Sequence, residues 1–348
     1  MRMAPARRRA EHANPIDFAP FAPPMRTALP LSPAPALARS TPPRGLGFAA
    51  LVLAALSWAS LYFVSKPVLG EVRPAAFTLL RYSVAALVFA LLLAPRGAAP
   101  WRQLRRHAPR LALMGLLGYG FFGLMLISGL ALSNPAHGAT LVATVPISTQ
   151  LLRWALDGQR PSPAQLGCSL LALAGVALLA GLLGPQTAAP AAGSAARMLL
   201  GDLMTLGGSL GWVLYTRGAG QLSAELDPLA YSGLTAIAMW PVLALGMLGA
   251  AVLGWIELPS AAQLRAQGPA LLYVGVVPSV MAVLCYLFGV RLLGPLTGGA
   301  FLNLIPVSAL GLGTLLGQPP SARELLGCAI VVSALLLQGR LQRPGARP

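Results

Sequence analysis

The chain has 348 residues, of which 56% are hydrophobic and only 10% charged, and its mean hydropathy is +0.70. Roughly a quarter of the residues of a soluble globular domain are charged, so this composition excludes a water-soluble globular protein and points to lipid as the solvent. The net charge of +16 comes from arginines and the single Lys66 set between apolar runs, which reads as a charge bias across a membrane and not as nucleic-acid binding.

Residues 1–44 carry seven arginines, many Pro and Ala, and no long apolar run. They read as a disordered cytoplasmic arm. The arm is not a cleaved signal peptide, because the apolar stretch behind it is too long for an h-region and continues into a polytopic chain; Met25 is an alternative start. A span needs about 20 mostly apolar residues. Ten such runs follow, near 46–65, 74–94, 110–132, 135–156, 163–184, 198–217, 228–252, 269–290, 295–316 and 322–339. The expected fold is all-α and integral to the membrane. Five spans fall in residues 45–184, a linker in 185–197, five more spans in 198–340, and a cytoplasmic tail in 341–348. Only a Pro-containing turn separates 110–132 from 135–156 and 269–290 from 295–316, so fusing either pair would lower the count.

A cytoplasmic N-terminus puts 19 basic residues inside and five outside, or 12 against five without the arm. The positive-inside rule therefore favours both termini in the cytoplasm, here of a bacterial inner membrane. Cys168, Cys285 and Cys328 are odd in number and scattered through apolar runs, neither a disulfide framework nor a metal cluster.

The two sets of spans resemble each other. Asn134–Ser148 (NPAHGATLVATVPIS) compares with Gly294–Ser308 (GPLTGGAFLNLIPVS), pairing Pro135 with Pro295, Gly138 with Gly298, Pro146 with Pro306 and Ser148 with Ser308. Gly129 and Leu132 pair with Gly289 and Leu292 at the same offset. GQRPSPAQLGC at 158–168 echoes GQPPSARELLGC at 317–328, and Leu-Ser-Trp at 56–58 more weakly echoes Leu-Gly-Trp at 210–212. Five spans per copy is an odd number, so the second copy enters the membrane from the opposite side. That is the 5+5 inverted-topology repeat of many secondary transporters, in which two halves rock about a central site.

With the order and spacing of SWASLYFVSKPVLG (57–70), LLRYSVAALVF (79–89), LVATVPISTQLL (141–152), GDLMTLGGSLGWVLY (201–215) and the stretch 301–337, residues 46–340 resemble the ten-span EamA-type members of the drug/metabolite transporter superfamily. The resemblance implies export or uptake of a small organic solute such as an amino acid, sugar or nucleoside, with an amino acid or related metabolite and export favoured by analogy; no cofactor and no catalytic residues are expected, and a homodimer is allowed. One departure matters: where the family carries Glu after the Gly ending the fourth and ninth helices, this chain has Gln159 and Gln318, which hydrogen-bond but cannot titrate.

Candidate pathway residues are polar or aromatic groups inside apolar runs. Arg81 lies about seven residues into its span, where a charge is expensive and marks a site by default. Its bland alternatives are snorkelling to the interface and a structural bond to a carbonyl. Pro146 and Pro306 fall near mid-span, and each would free the carbonyl four residues back, at Val142 and Leu302. Freed carbonyls at membrane depth are tolerated only against protein or a water-filled cavity. Trp58, Tyr62, Gln150, Trp212, Tyr215 and Asn303 are expected to face the bundle interior. Asp202, about a turn into its span, is a candidate cation site or a helix N-terminal anion. The G-x-G-x-x-G match at 118–123 follows no strand and reads as small residues for close helix packing. An intramembrane enzyme would need clustered acid, base or metal groups, yet His12, His107 and His137 fall in the arm and loops and the nine carboxylates are scattered. A non-transporting scaffold is the third class, which a midplane with no cavity would favour.

Overall fold

In a computed structural model, residues 44–132, 141–179, 182–183, 194–317 and 319–341 are described, and all regular structure among them is helical. The first half comprises α1 (Arg44–Glu71), α2 (Pro74–Leu93), α3 (Ala99–Gly115), α4 (Phe122–Leu132), α5 (Val145–Asp157) and α6 (Pro163–Leu179). The second comprises α7 (Ser194–Gln221), α8 (Pro228–Val252), α9 (Ala261–Val276), α10 (Ala282–Leu293), α11 (Pro295–Phe301), α12 (Leu304–Leu315) and α13 (Ala322–Leu341).

Local sequence sets the boundaries. α2 and α8 open on Pro74 and Pro228, whose missing N–H is spare in a first turn. Asp227 caps α8 by accepting from the Ala230 amide at 2.8 Å. Ser260 and Gln263 form a reciprocal capping box at the start of α9. Gly158, at φ +66°, closes α5 in the left-handed conformation that suits glycine. Within helices, Ser57, Thr78, Ser83, Thr205 and Thr216 each donate their hydroxyl to the carbonyl four residues back. A hydroxyl bonded in this way is satisfied without water.

Among the described residues eight helical stretches are long and apolar enough to cross a membrane. The second half contributes five of them, Ala196–Gln221, Pro228–Val252, Ala261–Leu293, Pro295–Leu315 and Ala322–Leu341. The first half contributes three, through Gly129, and α6 is a shorter apolar helix. The sequence suggests ten. The difference falls on the fourth and fifth runs. The fourth passes through 133–140, outside the described residues, and continues as the 13-residue α5. The fifth, α6, has 17 residues, a length of about 26 Å at 1.5 Å per residue. Large side chains on outward faces are apolar, as at Leu87, Leu91, Leu245 and Val252, each more than 60% exposed. Helices apolar on their outer faces as well as their inner ones belong in lipid, and the chain is a multi-pass helical membrane protein.

The packing keeps its pattern when the halves are exchanged. α4 packs on α7 as α10 packs on α1, α3 on α8 as α9 on α2, and α5 on α7 as α12 on α1. The pairs α2–α8 and α6–α13 map onto themselves. α3 joins α4 through a π-helical segment, Leu116–Phe121, and α9 joins α10 through another, Val277–Met281. The two wide turns thus occupy corresponding places. A proline explains the second: Pro278 has no N–H to give, and Ser279 Oγ donates to the Val274 carbonyl, five residues back, at 2.7 Å.

The mid-span prolines need correcting. Both were expected to kink continuous helices, and both instead stand in the first turn of a new helix after a break. Residues 143–144 form a turn before α5, with Pro146 its second residue, and residues 302–303 form a turn before α12, with Pro306 its third. The first helical turn has no use for the N–H that proline lacks, so a break there removes the clash that a kink would keep. The Leu302 carbonyl is taken by the Ile305 amide at 3.1 Å, a tighter bond spanning three residues.

Candidate functional site

Two cavities lie one above the other along α5, α7 and α10. The inner, about 60 Å³, is lined by Val145 on α5, Trp212 on α7 and Val283 on α10. The larger, about 580 Å³, is lined further along the same helices by Thr149, Leu152 and Arg153, by Val213, Thr216 and Arg217, and by Leu287, Val290 and Arg291. It extends to the helix ends at Asp157, Gln221 and Gly294. Trp212, Tyr215 and Tyr286 sit at the level where one cavity gives way to the other. Their rings are in contact, with centroids 5.3 Å apart for Trp212–Tyr215 and 5.4 Å for Trp212–Tyr286.

The inner cavity draws matching residues from both halves. Trp58 and Trp212 lie in the matched Leu-Ser-Trp and Leu-Gly-Trp triplets. Val142 and Val145 flank the first helix break, and Leu302 and Ile305 lie in and just after the second. Tyr119 belongs to one π-helical segment, Pro278 and Ser279 to the other. A π-helical turn leaves a carbonyl without its usual partner, and here the Trp58 indole Nε1 donates to the Pro278 carbonyl at 2.9 Å, from one half to the other.

Arg81 is the charged residue of this lining and is 5% exposed. Its Nη2 donates to the Tyr82 hydroxyl, and its guanidinium carbon lies 4.4 Å from the Tyr82 ring centroid and 5.9 Å from that of Phe77. Its Nε has no acceptor. No ion pair among the described residues involves it. The indole Nε1 of Trp212 is likewise buried without a partner. A tyrosine chain backs the site: Tyr82, Tyr119, Tyr215 and Tyr231 stack in sequence with centroids 5.1–5.3 Å apart, and the Tyr119 and Tyr215 hydroxyls are 3.0 Å apart.

At the mouth of the larger cavity Arg217 donates to Asp157. That hydrogen bond holds the Asp157 carboxyl below the usual carboxylate range. Arg153 donates to Gln159, the residue standing where the resembled family has Glu. At the far side of the bundle, Arg73, just after α1, pairs with Glu257, in the segment between α8 and α9, at 3.2 Å, and Gln263 Nε2 in the first turn of α9 donates to the carbonyl of Glu71, the last residue of α1, at 2.8 Å.

The other candidates are placed as follows. Tyr215 is fully buried in the tyrosine chain. Gln150 turns away from the cavities, donating to Ser169 Oγ at 3.0 Å and to the Pro146 carbonyl at 3.3 Å. Asn303 sits buried in the break before α12, with neither amide atom partnered, and lines neither cavity. Asp202 is more than two turns along α7, because the helix starts at Ser194, and it too lines neither cavity. Tyr62 lies on α1, but its side chain, like Gln318, is outside what is described. Tyr82, Tyr119, Tyr286, Pro278 and Ser279 were not singled out by sequence reasoning. The signal for Pro278 was available, a proline inside an apolar run. The glycines of 118–123 do admit close packing: a Cβ on Gly118 would lie 2.3 Å from the Tyr215 ring. Among the described residues no group of His, Cys, Asp and Glu could hold a metal ion.

The sequence profile of the EamA-like transporter family matches residues 45–181 and again 199–339. The chain is 24% identical over 306 residues to a Bacillus subtilis (strain 168) protein described as uncharacterized transporter YrdR, covering 86% of this chain and 92% of that one. It is 28% identical over 296 residues to a Streptantibioticus cattleyicolor protein described as a probable terminal-alkyne amino-acid exporter, covering 84% and 92%. A solved crystal structure shares the fold, with a TM-score of 0.65 at 21% identity over 86% of this chain and 99% of that one.

Proposed function

The chain belongs to the EamA-like transporter family, and from that membership we propose that it carries a small organic solute, an amino acid or related metabolite, outward across a bacterial inner membrane by alternating access. In this reading the chain has ten spans in two inverted sets of five, with both termini in the cytoplasm. It needs no cofactor and catalyses no covalent step.

The observation that carries the reading is the inner cavity built from matching residues of the two halves, with a larger cavity on one side of it. Arg153, Arg217 and Arg291 mark the wide mouth, and the positive-inside rule puts such residues in the cytoplasm. The Arg73–Glu257 pair and the Gln263–Glu71 bond tie the end of α1 and the residues after it to the start of α9 and the segment before it, at the other end. The arrangement is that of a carrier caught with its inner side open. Outward movement and an amino-acid-like solute rest on the description of the Streptantibioticus relative.

Purified protein in liposomes tests it. Counterflow of a labelled amino acid or related metabolite, chosen by comparing metabolites retained and released by deletion and overexpressing strains, is the expected result. A flux no greater than that of protein-free liposomes for every solute so chosen would refute the reading.

A further inference from the structure

We propose that Arg81 receives the carboxylate of a solute carried as a monoanion, and that an ammonium group on the solute is not required. The proposal rests on the transport reading and names the chemistry of its cargo.

Among the described residues the inner cavity is lined by one full charge and by nothing of opposite sign. Arg81 is 5% exposed, and among the described residues no carboxylate lines the cavity. A buried cation is normally matched by an anion, because removing it from water is costly. Among the described residues its compensation is a phenol oxygen and two ring faces, each weaker than a carboxylate against a guanidinium. Two buried polar atoms of residues lining the cavity have no partner, Arg81 Nε and Trp212 Nε1, and both are donors. A carboxylate is all acceptor and suits a guanidinium fork.

The charge is single because the halves differ at this point. Seven residues after its opening proline α2 carries Arg81; seven after its own, α8 carries Thr235, whose hydroxyl is spent on the Tyr231 carbonyl at 2.7 Å. One cation balances one negative charge, which disfavours phosphate dianions. The remaining walls, Trp58, Phe122, Trp212 and Val283 among them, suit an apolar body. An ammonium would find no carboxylate there. The larger cavity points the same way, with Arg153, Arg217 and Arg291 against Asp157 alone, itself paired with Arg217.

The test is calorimetric titration of the full chain in detergent with two matched sets: pentanoate, pentanamide and norvaline, and phenylacetate, phenylacetamide and phenylalanine. The wild type is expected to bind the carboxylates on the order of ten- to a hundredfold more tightly than the amides, the span of a charge-assisted bond. Arg81→Gln should abolish that preference. Arg81→Lys, which keeps the charge without the fork, should retain it in weakened form and so shows that the loss in Arg81→Gln is not misfolding. Equal binding of acid and amide, a preference that survives in Arg81→Gln, tighter binding of the zwitterions than of the simple acids, or binding of no probe overturns the proposal. The two readings fail separately. Carboxylate-selective binding without liposome flux removes the transport reading and leaves the site; flux of another solute with no such selectivity does the reverse.

Discussion

Trp58 and Trp212, one from each half of the chain, meet edge to face with ring centroids 5.5 Å apart and planes at 87°. Each also touches Tyr286, with centroids 5.4 Å away. Trp58 and Trp212 line the inner cavity, and Tyr286 packs behind them. Trp212→Phe keeps a ring there but alters its edge, and should weaken solute binding by about two- to tenfold, the range of an aromatic pair. Trp212→Ala should also destabilise the fold by about 3–5 kcal/mol. Titration with the bound solute and thermal unfolding in detergent would check the two variants.

The Arg73–Glu257 pair is highly exposed, with side chains 67% and 81% accessible. Such pairs contribute about 0–1 kcal/mol, too little for the fold but, in the proposed alternating-access cycle, enough to move the equilibrium between two open states by up to about fivefold. Glu257→Gln should leave the melting temperature nearly unchanged. It should reduce labelling of a cysteine placed at Thr149, in the larger cavity, by an impermeant maleimide from the cytoplasmic side, with Cys168, Cys285 and Cys328 first replaced. Undiminished labelling would show that the pair holds nothing shut.

Asp227 caps α8 and pairs with Arg96 at 2.6 Å. Burial raises its carboxyl, but the Ala230 amide and Arg96 together outweigh it and hold the group below the ordinary carboxylate range. A depressed folded-state value means the stabilisation is complete above the unfolded value of about 3.9 and is lost as pH falls through the lower folded one. Asp227→Ala should cost about 1 kcal/mol at pH 7, a typical cap contribution. The gap between variant and wild type should begin to narrow below about pH 4 and go on closing as pH falls through the lower folded value, where Asp227 itself becomes uncharged. Unfolding curves from pH 7 to pH 3 would measure it.

Gly175 and Gly327 hold α6 and α13 together backbone to backbone. A Cβ on Gly327 would lie 2.8 Å from the Gly175 carbonyl oxygen, and one on Gly175 would lie 3.0 Å from that of Gly327. Small residues at a helix crossing in lipid permit this approach. Gly327→Ala should destabilise by about 1–3 kcal/mol, as overpacking does, and Gly327→Leu should prevent recovery of monodisperse protein. Gel filtration and thermal unfolding would decide both.

Composition and repetition made much of this legible. Long apolar runs gave helices in lipid, and the paired prolines and glycines exposed the duplication that the family profile matches twice. Within the site, Trp58, Arg81 and Trp212 stood out because indole and guanidinium groups are rare inside apolar runs. Tyr82 and Tyr119 did not, since nothing in the pattern around a tyrosine says whether it faces a cavity or a neighbouring helix. The π-helical segments were hidden because glycine and proline relax the backbone without announcing how. The prolines at 146 and 306 marked the right places and the wrong event, a restart of the helix and not a bend. Gln150 shows the opposite limit: a polar group in a span can satisfy itself on a neighbouring helix.

The exchange pattern of the packing stops at Arg81, whose counterpart is Thr235. A cargo gripped by that guanidinium would therefore travel with the first half, and the second half would swing past it. The scaffold is even-handed while its grip is one-sided. If the proposed alternating access holds, cross-linking a solute analogue to the first half should leave the swing intact, whereas tethering it to the second should jam it.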